Sequence, residues 1–324
     1  MKKSEEVPQN KPIVSHCHTA PDPKKRKQKN NIFLHFILFI LTLFSMIFAG
    51  AMQQGVAPIT SIRSLQHLVE GIPFALTLLT ILTVHEFGHY FAARHWDVRA
   101  SLPYFIPLPY ISFLGTLGAV IKIRDTIPNK SALLEIGAAG PLAGFVVAIC
   151  ACLGGVSMSK VVNIDYVYSQ PIELGTSVVF SAITSLILPD VGTQEYVLLH
   201  PVAFAGWVGL FVTTFNLIPI GQLDGGHIVY ALFDKTKSRI ISQISYYSLI
   251  VFGCYGVISH VIDVPWERGW PGWLALAFFL TFVRKNNPAT RETYSTIDQR
   301  HQWIGYLCII IFFLCFVPVP FSAG

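Results

Sequence analysis

Charge is scarce in this chain. Of its 324 residues only 13% are charged and 52% are hydrophobic, a charged share about half of what a soluble globular domain carries. The shortage excludes an ordinary soluble domain. Apolar runs of around 20 residues, enough to cross a hydrocarbon core of about 30 Å, recur along the chain and point to a membrane. Paired cysteines are missing too. Cys150, Cys152, Cys254, Cys308 and Cys315 lie inside apolar runs without CxxC spacing, so they read as small buried hydrophobes and not as a disulfide framework. Cys17, between His16 and His18, offers adventitious metal ligands at most, in a tail that reads as disordered. No cleavable secretory signal is apparent, because the first apolar run starts after about 30 polar residues and has the length of a true span. Glu5, Glu6 and Asp22 argue against a transit peptide, which is poor in acids. The precursor and mature chain are therefore expected to coincide. There is no internal repeat and no low-complexity tract beyond the basic tail.

The formal net charge is +5, yet the basic residues cluster beside apolar runs instead of forming a nucleic-acid face. Lys24, Lys25, Arg26, Lys27 and Lys29 directly precede the first run. That placement fits retention of a flank on the cytoplasmic side better than a nuclear-localisation signal. No nucleic-acid partner is expected.

The runs predict spans at about 32–51, 72–93, 133–156, 197–220, 240–262, 270–283 and 303–319, the third interrupted at Gly140-Pro141. Residues 176–188 hold too few apolar residues to cross and read as a segment on the membrane surface. With the N-terminus inside, all of the 23 Lys and Arg residues except Arg63, Lys160 and Arg268 fall on inner segments, the asymmetry that orients membrane proteins. Between the second and third spans, Pro103, Pro107 and Pro109 break any helix, and 111–124 ends in strand-like alternation. The expected fold is an all-α membrane protein, a polytopic bundle of six to seven transmembrane helices. Its parts are a basic cytoplasmic tail (1–31), a catalytic membrane core (32–235) and C-terminal spans (236–324).

Within the second span lies His85-Glu86-Phe87-Gly88-His89, an HExxH pattern. Residues four apart on a helix share a face, so two imidazoles can ligate one metal while Glu86 reaches the water it activates. Such groups are expensive inside a span and are kept there for use. HExxH arises by accident in a chain of this composition about once in a hundred, so the motif needs support from a third ligand, which catalytic zinc requires. Asp224, just after the fourth span, is the best candidate. The charge-derived topology brings the second and fourth spans to the same inner level. At about 1.5 Å per residue back from Arg94, His89 and His85 lie roughly 7 and 14 Å inside the membrane boundary.

Three segments in this order resemble the site-2 protease family of intramembrane metalloproteases: HEFGH at 85–89, GAAGPLAG at 137–144 and NLIPIGQLDGGH at 216–227. The resemblance covers about residues 75–235. It implies one zinc per chain held by His85, His89 and Asp224, Glu86 as the catalytic glutamate, and Asn216 as a contact to substrate or the reacting group. Gly115 and Gly118 resemble positions in the family's membrane-reentrant β-hairpin or loop, which could hold an unwound substrate as an added strand. Asn287-Pro288, followed by Asp298 and Arg300, resembles bacterial and plastid members. The implied activity is hydrolysis of single-span membrane proteins within the bilayer. The expected location is a bacterial inner membrane, multi-pass, with the N-terminus cytoplasmic. There is no room for a PDZ domain between the second and third spans or in 157–175, and no CBS pair follows the last span.

Other readings are weaker. His227 could support the metal site but reads more simply as a helix-start residue. His95, His200, His260 and His301 sit at span ends, where amphipathic rings anchor at the interface. The glycines of 137–144 read as permitting close helix packing. A metal transporter would spread ligands across the membrane depth, whereas these converge on one level. A prenyl-protein protease of the zincin type would take its third ligand, a glutamate, from a long soluble segment that this chain lacks.

Overall fold

The computed structural model describes residues 31–55, 62–163, 172–189, 191–192, 195–233, 235–262, 268–283 and 296–323. The basic residues of the tail, Cys17 and Asn287-Pro288 lie outside them. From Ile32 onward the chain forms one compact unit. Among the described residues, its helices are α1 (Ile32–Gln53), α2 (Ile72–His95), α3 (Lys130–Ser157), α4 (Val178–Ile187), α5 (Pro201–Leu217), α6 (Asp224–Leu232), α7 (Lys235–Val261), α8 (Gly272–Val283) and α9 (Gln299–Cys315). A 3-10 helix, Ile62–Gly71, leads into α2.

Among the described residues, four helices are long and apolar enough to cross a membrane: α1, α2 with the turn before it, α3 and α7. Outward faces carry large apolar side chains such as Phe33, Phe44, Phe91, Val251, Phe278 and Phe313. Such a surface would be a liability in water and suits lipid contact. Within, Phe74, Leu78 and Ile81 of α2 pack with Leu133, Leu134 and Ile136 of α3 and with Trp207 and Leu210 of α5. A smaller cluster joins Ile218, Ile220, Leu249, Trp273 and Leu280.

Several expectations change. α3 runs unbroken through Pro141. A proline removes one N–H bond, here the one to the carbonyl four residues back, and a helix packed among neighbours absorbs that loss. Residues 176–188 do form a separate helix, α4, which buries Phe180 and Ile183 and at ten residues is about 15 Å long. Cys152, Cys308 and Cys315 are buried as expected, but Cys150 and Cys254 face outward. The residues between the first two expected spans include the 3-10 helix.

Except at 116–120, inside the stretch read as strand-like, the short strands escape a reading of the sequence, because segments of three to five residues carry little periodicity. β1 (Tyr104–Pro107) and β2 (Thr116–Val120) pair antiparallel, Tyr104 opposite Val120 and Pro107 opposite Thr116, with an irregularity after Phe105. β3 (Lys160–Asn163) pairs with β5 (Glu195–Leu198), and β4 (Ile172–Leu174) with β6 (Phe321–Ala323). At the base of the β1–β2 unit, Arg99 clamps Asp125 through Nε at 2.8 Å and Nη2 at 2.6 Å.

The loop is tied along α1. His35 Nδ1 lies 3.0 Å from the carbonyl of Pro103, Ser45 Oγ donates to Gly115 O at 2.5 Å and Gln53 Nε2 donates to Phe113 O at 2.9 Å. His35 and Gln53 are separated by about 27 Å of helix axis. The non-helical stretch from 103 to 115 therefore follows α1 for a length close to that of a hydrocarbon core.

Candidate metal centre

His85, Glu86 and His89 are all buried, at 3%, 7% and 6% exposure. They occupy the C-terminal half of α2, which ends at His95, and their helical spacing puts the two rings together, 4.9 Å between centroids. Asp224 arrives from another part of the chain. After α5 the backbone turns at Ile218–Leu223, with Gly221 at φ 54°, and α6 starts on Asp224 itself. The turn brings the start of α6 close to the end of α5, Gly225 against Leu217, and sets α6 against α3 at Gly137.

Three atoms then converge. His85 Nε2 and His89 Nε2 are 3.2 Å apart, and Asp224 Oδ2 lies 3.5 Å from the first and 3.3 Å from the second. A tetrahedral ion with bonds of about 2.0–2.1 Å needs donors separated by about 3.4 Å. The observed triangle therefore has the size of three of the four corners around a zinc-sized cation. The chemistry of the donors agrees. His89 Nδ1 donates to the carbonyl of Ile136 at 2.7 Å, which leaves a lone pair on Nε2 for the triangle. Facing acceptors 3.3 Å apart need a cation or a proton between them. The three residues are the described group of His, Cys, Asp and Glu side chains whose ligand atoms meet in this way.

Around the triangle stand groups of two kinds. Glu86, one position after His85, interacts with the backbone of Ile121 just beyond β2 and is within electrostatic reach of His89 and Asp224. Asn216, in the last turn of α5, puts Nδ2 3.1 Å from His85 Nε2. α3 supplies clearance: a Cβ at Gly140 would fall 2.1 Å from His89 Nε2, and one at Gly144 3.1 Å from His85 Nδ1. Small residues at these places let α3 lie directly on the two rings, the close approach that such residues permit in membrane helices.

The other sequence candidates fall elsewhere. Gly115, at φ 75°, lies against the backbone of Ser45 and Met46 in α1, which is a packing task. Gly118, at φ 100°, has open space where a side chain would go. His227 lies outside the triangle, its Cβ against Gly137. His200 caps α5 by accepting from Val202 N. His301 is bonded on both ring nitrogens, to Asp298 and to Glu135, a placement that the sequence does not suggest. Nor does it point to the Ile136 carbonyl, because a main-chain acceptor leaves no mark in residue identity.

Fold and site together define a helical protein, apolar on its outside, with a metal-ligating type of donor set in its interior. The chain belongs to peptidase family M50, the family of the site-2 proteases, whose pattern matches residues 73–256. Among curated proteins it is similar to the Arabidopsis thaliana protein named Probable zinc metalloprotease EGY2, chloroplastic, at 29% identity over 82% of this chain and 45% of the relative. The corresponding EGY1 proteins of Oryza sativa subsp. japonica and Arabidopsis thaliana share 30% and 34% identity, over 72% and 60% of this chain and 42% and 35% of theirs. The chain spans about half the length of the curated relatives it matches. Among solved structures, a site-2 protease from Methanocaldococcus jannaschii matches 81% of this chain and 93% of that one, at 22% identity and a TM-score of 0.39.

Proposed function

We propose that this chain is an intramembrane zinc metalloendopeptidase that hydrolyses peptide bonds of single-span membrane proteins. The observation that carries the reading is the triangle of His85, His89 and Asp224, sized for one zinc and set among apolar helices beside a buried glutamate. Family membership supports it, as do relatives whose names include zinc metalloprotease.

The roles follow from position. His85, His89 and Asp224 hold the ion, one per chain. Bound there, zinc would supply Lewis-acid chemistry, polarising a carbonyl and lowering the pKa of water from 15.7 towards about 7. Glu86 would take the proton from the attacking water and return it to the leaving amine. The amide of Asn216, next to the triangle, is placed to donate to the carbonyl oxygen as negative charge develops on it. β2 has a free edge among the described residues, and Glu86 sits by the backbone just past its end. An unwound substrate added as a strand beside Gly118 would bring its peptide bonds to the ion. This role makes the stretch along α1 a membrane-reentrant hairpin, and counts α5, α8 and α9 with the four long helices as spans, seven in all. The excess of Lys and Arg on one alternate set of connecting segments in the sequence supports an N-terminus in the cytoplasm. The sequence expectation of a bacterial inner membrane stands beside relatives named chloroplastic, and fractionation of the native cells decides between those membranes.

The protein purified in detergent should carry about one zinc per chain and cut a tagged single-span substrate. Stripping the metal with 1,10-phenanthroline should stop cleavage, and added zinc should restore it. If the chain never cuts but carries metal ions across vesicle membranes, the protease reading fails in favour of transport.

Gly140→Ala offers a separate check on the ligand geometry. The added methyl meets the His89 ring at a distance no pair of atoms tolerates, so the ring must leave the triangle. Zinc affinity, read by competition with a chelator, should fall by at least about tenfold, the scale of losing a ligand's supporting contact. Unchanged affinity would show that α3 does not lie on the ligand as described.

A further inference from the structure

One carboxylate outside the triangle joins three helices. Glu135 of α3 accepts from Trp96 Nε1 at the end of α2, at 2.9 Å, and from His301 Nε2 in the first turn of α9, at 3.1 Å. The other ring nitrogen of His301 is bonded to Asp298, so the ring is fixed from both sides. Trp96 and His301 also lie side by side, 6.2 Å between ring centroids. The next residue along α3 is Ile136, whose carbonyl holds the His89 ring.

The contacts between α2 and α3 run in opposite chain directions, His85 with Gly144, His89 with Gly140 and Ile136, Trp96 with Glu135. The helices are antiparallel, and the triangle depends on their relative axial position. Apolar contacts set that position poorly in a membrane, because lipid tails are as apolar as a neighbouring helix. Directional bonds set it well. A slide of one residue's rise, about 1.5 Å, is more than half the length of the 2.7 Å bond from His89 to Ile136, enough to spoil its geometry and to move Gly140 off the ring that it accommodates. Trp96 lies about two turns beyond His89, close enough for its bond to Glu135 to fix the register at the ligand.

We propose that Glu135 is a positioning residue for His89, and that its bonds from Trp96 and His301 make the docking of α9 part of the metal centre's affinity. This rests on the reading of the triangle as a zinc site. It assigns a task to a group that the chemistry itself does not use, and it ties the last helix, remote in sequence, to a ligand on the second.

The test is a zinc titration of metal-stripped full-length chain in detergent against a competing chelator, with melting of the zinc-free protein followed in parallel. Glu135→Ala should weaken zinc binding by about 10- to 100-fold, the range seen when a ligand's supporting partner is removed. Glu135→Gln, whose amide oxygen still accepts from Trp96 and His301, should recover most of the loss. A Glu135→Ala protein that melts earlier yet binds zinc as tightly as wild type would reduce Glu135 to a structural tie and overturn the proposal. Should the alanine variant not fold, Trp96→Phe decides, since it deletes one donor and keeps an aromatic ring: weaker zinc binding supports the proposal and wild-type affinity overturns it. Failure of the wild type itself to bind zinc would instead remove the metal-site reading underneath.

Discussion

Glu86→Gln is expected to keep its zinc and to slow cleavage by roughly 10²–10⁴-fold, the contribution of a positioned general acid–base group. The substitution is nearly isosteric, and the amide oxygen can still take the backbone contact at Ile121 that the carboxylate now makes. Glu86 is not one of the three atoms of the triangle, so metal content should not depend on it. What glutamine lacks is a site that accepts a proton from water and gives it back to the leaving nitrogen. The check is paired, with zinc per chain measured by atomic absorption and turnover of a tagged single-span substrate measured in the same preparation. Full proteolysis by the glutamine variant would take Glu86 out of the mechanism; loss of zinc would make it a ligand.

Asp224→Ala should have the opposite signature, losing both zinc and cleavage. Two imidazoles remain, one short of the three protein ligands that a catalytic zinc site uses. No described His, Cys, Asp or Glu side chain other than those three joins the group, so nothing stands ready to replace the carboxylate. Because an ion that binds only the folded chain raises its apparent stability with concentration, wild type should melt later as zinc is added and Asp224→Ala should not. A variant that kept one zinc per chain and its melting shift would break the proposed ligand set. The contrast between a variant that holds zinc without cutting and one that does neither separates proton transfer from metal binding.

Much of the site is legible in the order of the residues. HExxH declares its geometry through local spacing alone, since four residues make one turn wherever the helix lies. Asp224 is reached by a longer inference, from charge bias to topology to a shared level of the second and fourth spans, and its carboxylate lies within 3.5 Å of both rings. Asn216 comes with the same segment and stands 3.1 Å from His85. Gly115 is different, because its positive φ serves the contact with α1, and a glycine required for packing is written like one required for substrate. The break expected at Gly140-Pro141 does not occur, because local helix preference is weaker than the packing of a helix held on several sides.

By itself the sequence determined the long apolar helices, the two-histidine face and its glutamate, because hydropathy and helical periodicity are properties of neighbours in the chain. Only the tertiary structure decided which carbonyl orients His89, why position 140 has no side chain, and that Trp96 and His301 meet on Glu135. Those relations join residues from separate helices through distances of about 3 Å, the hydrogen-bond scale, and such distances exist only once the helices have packed.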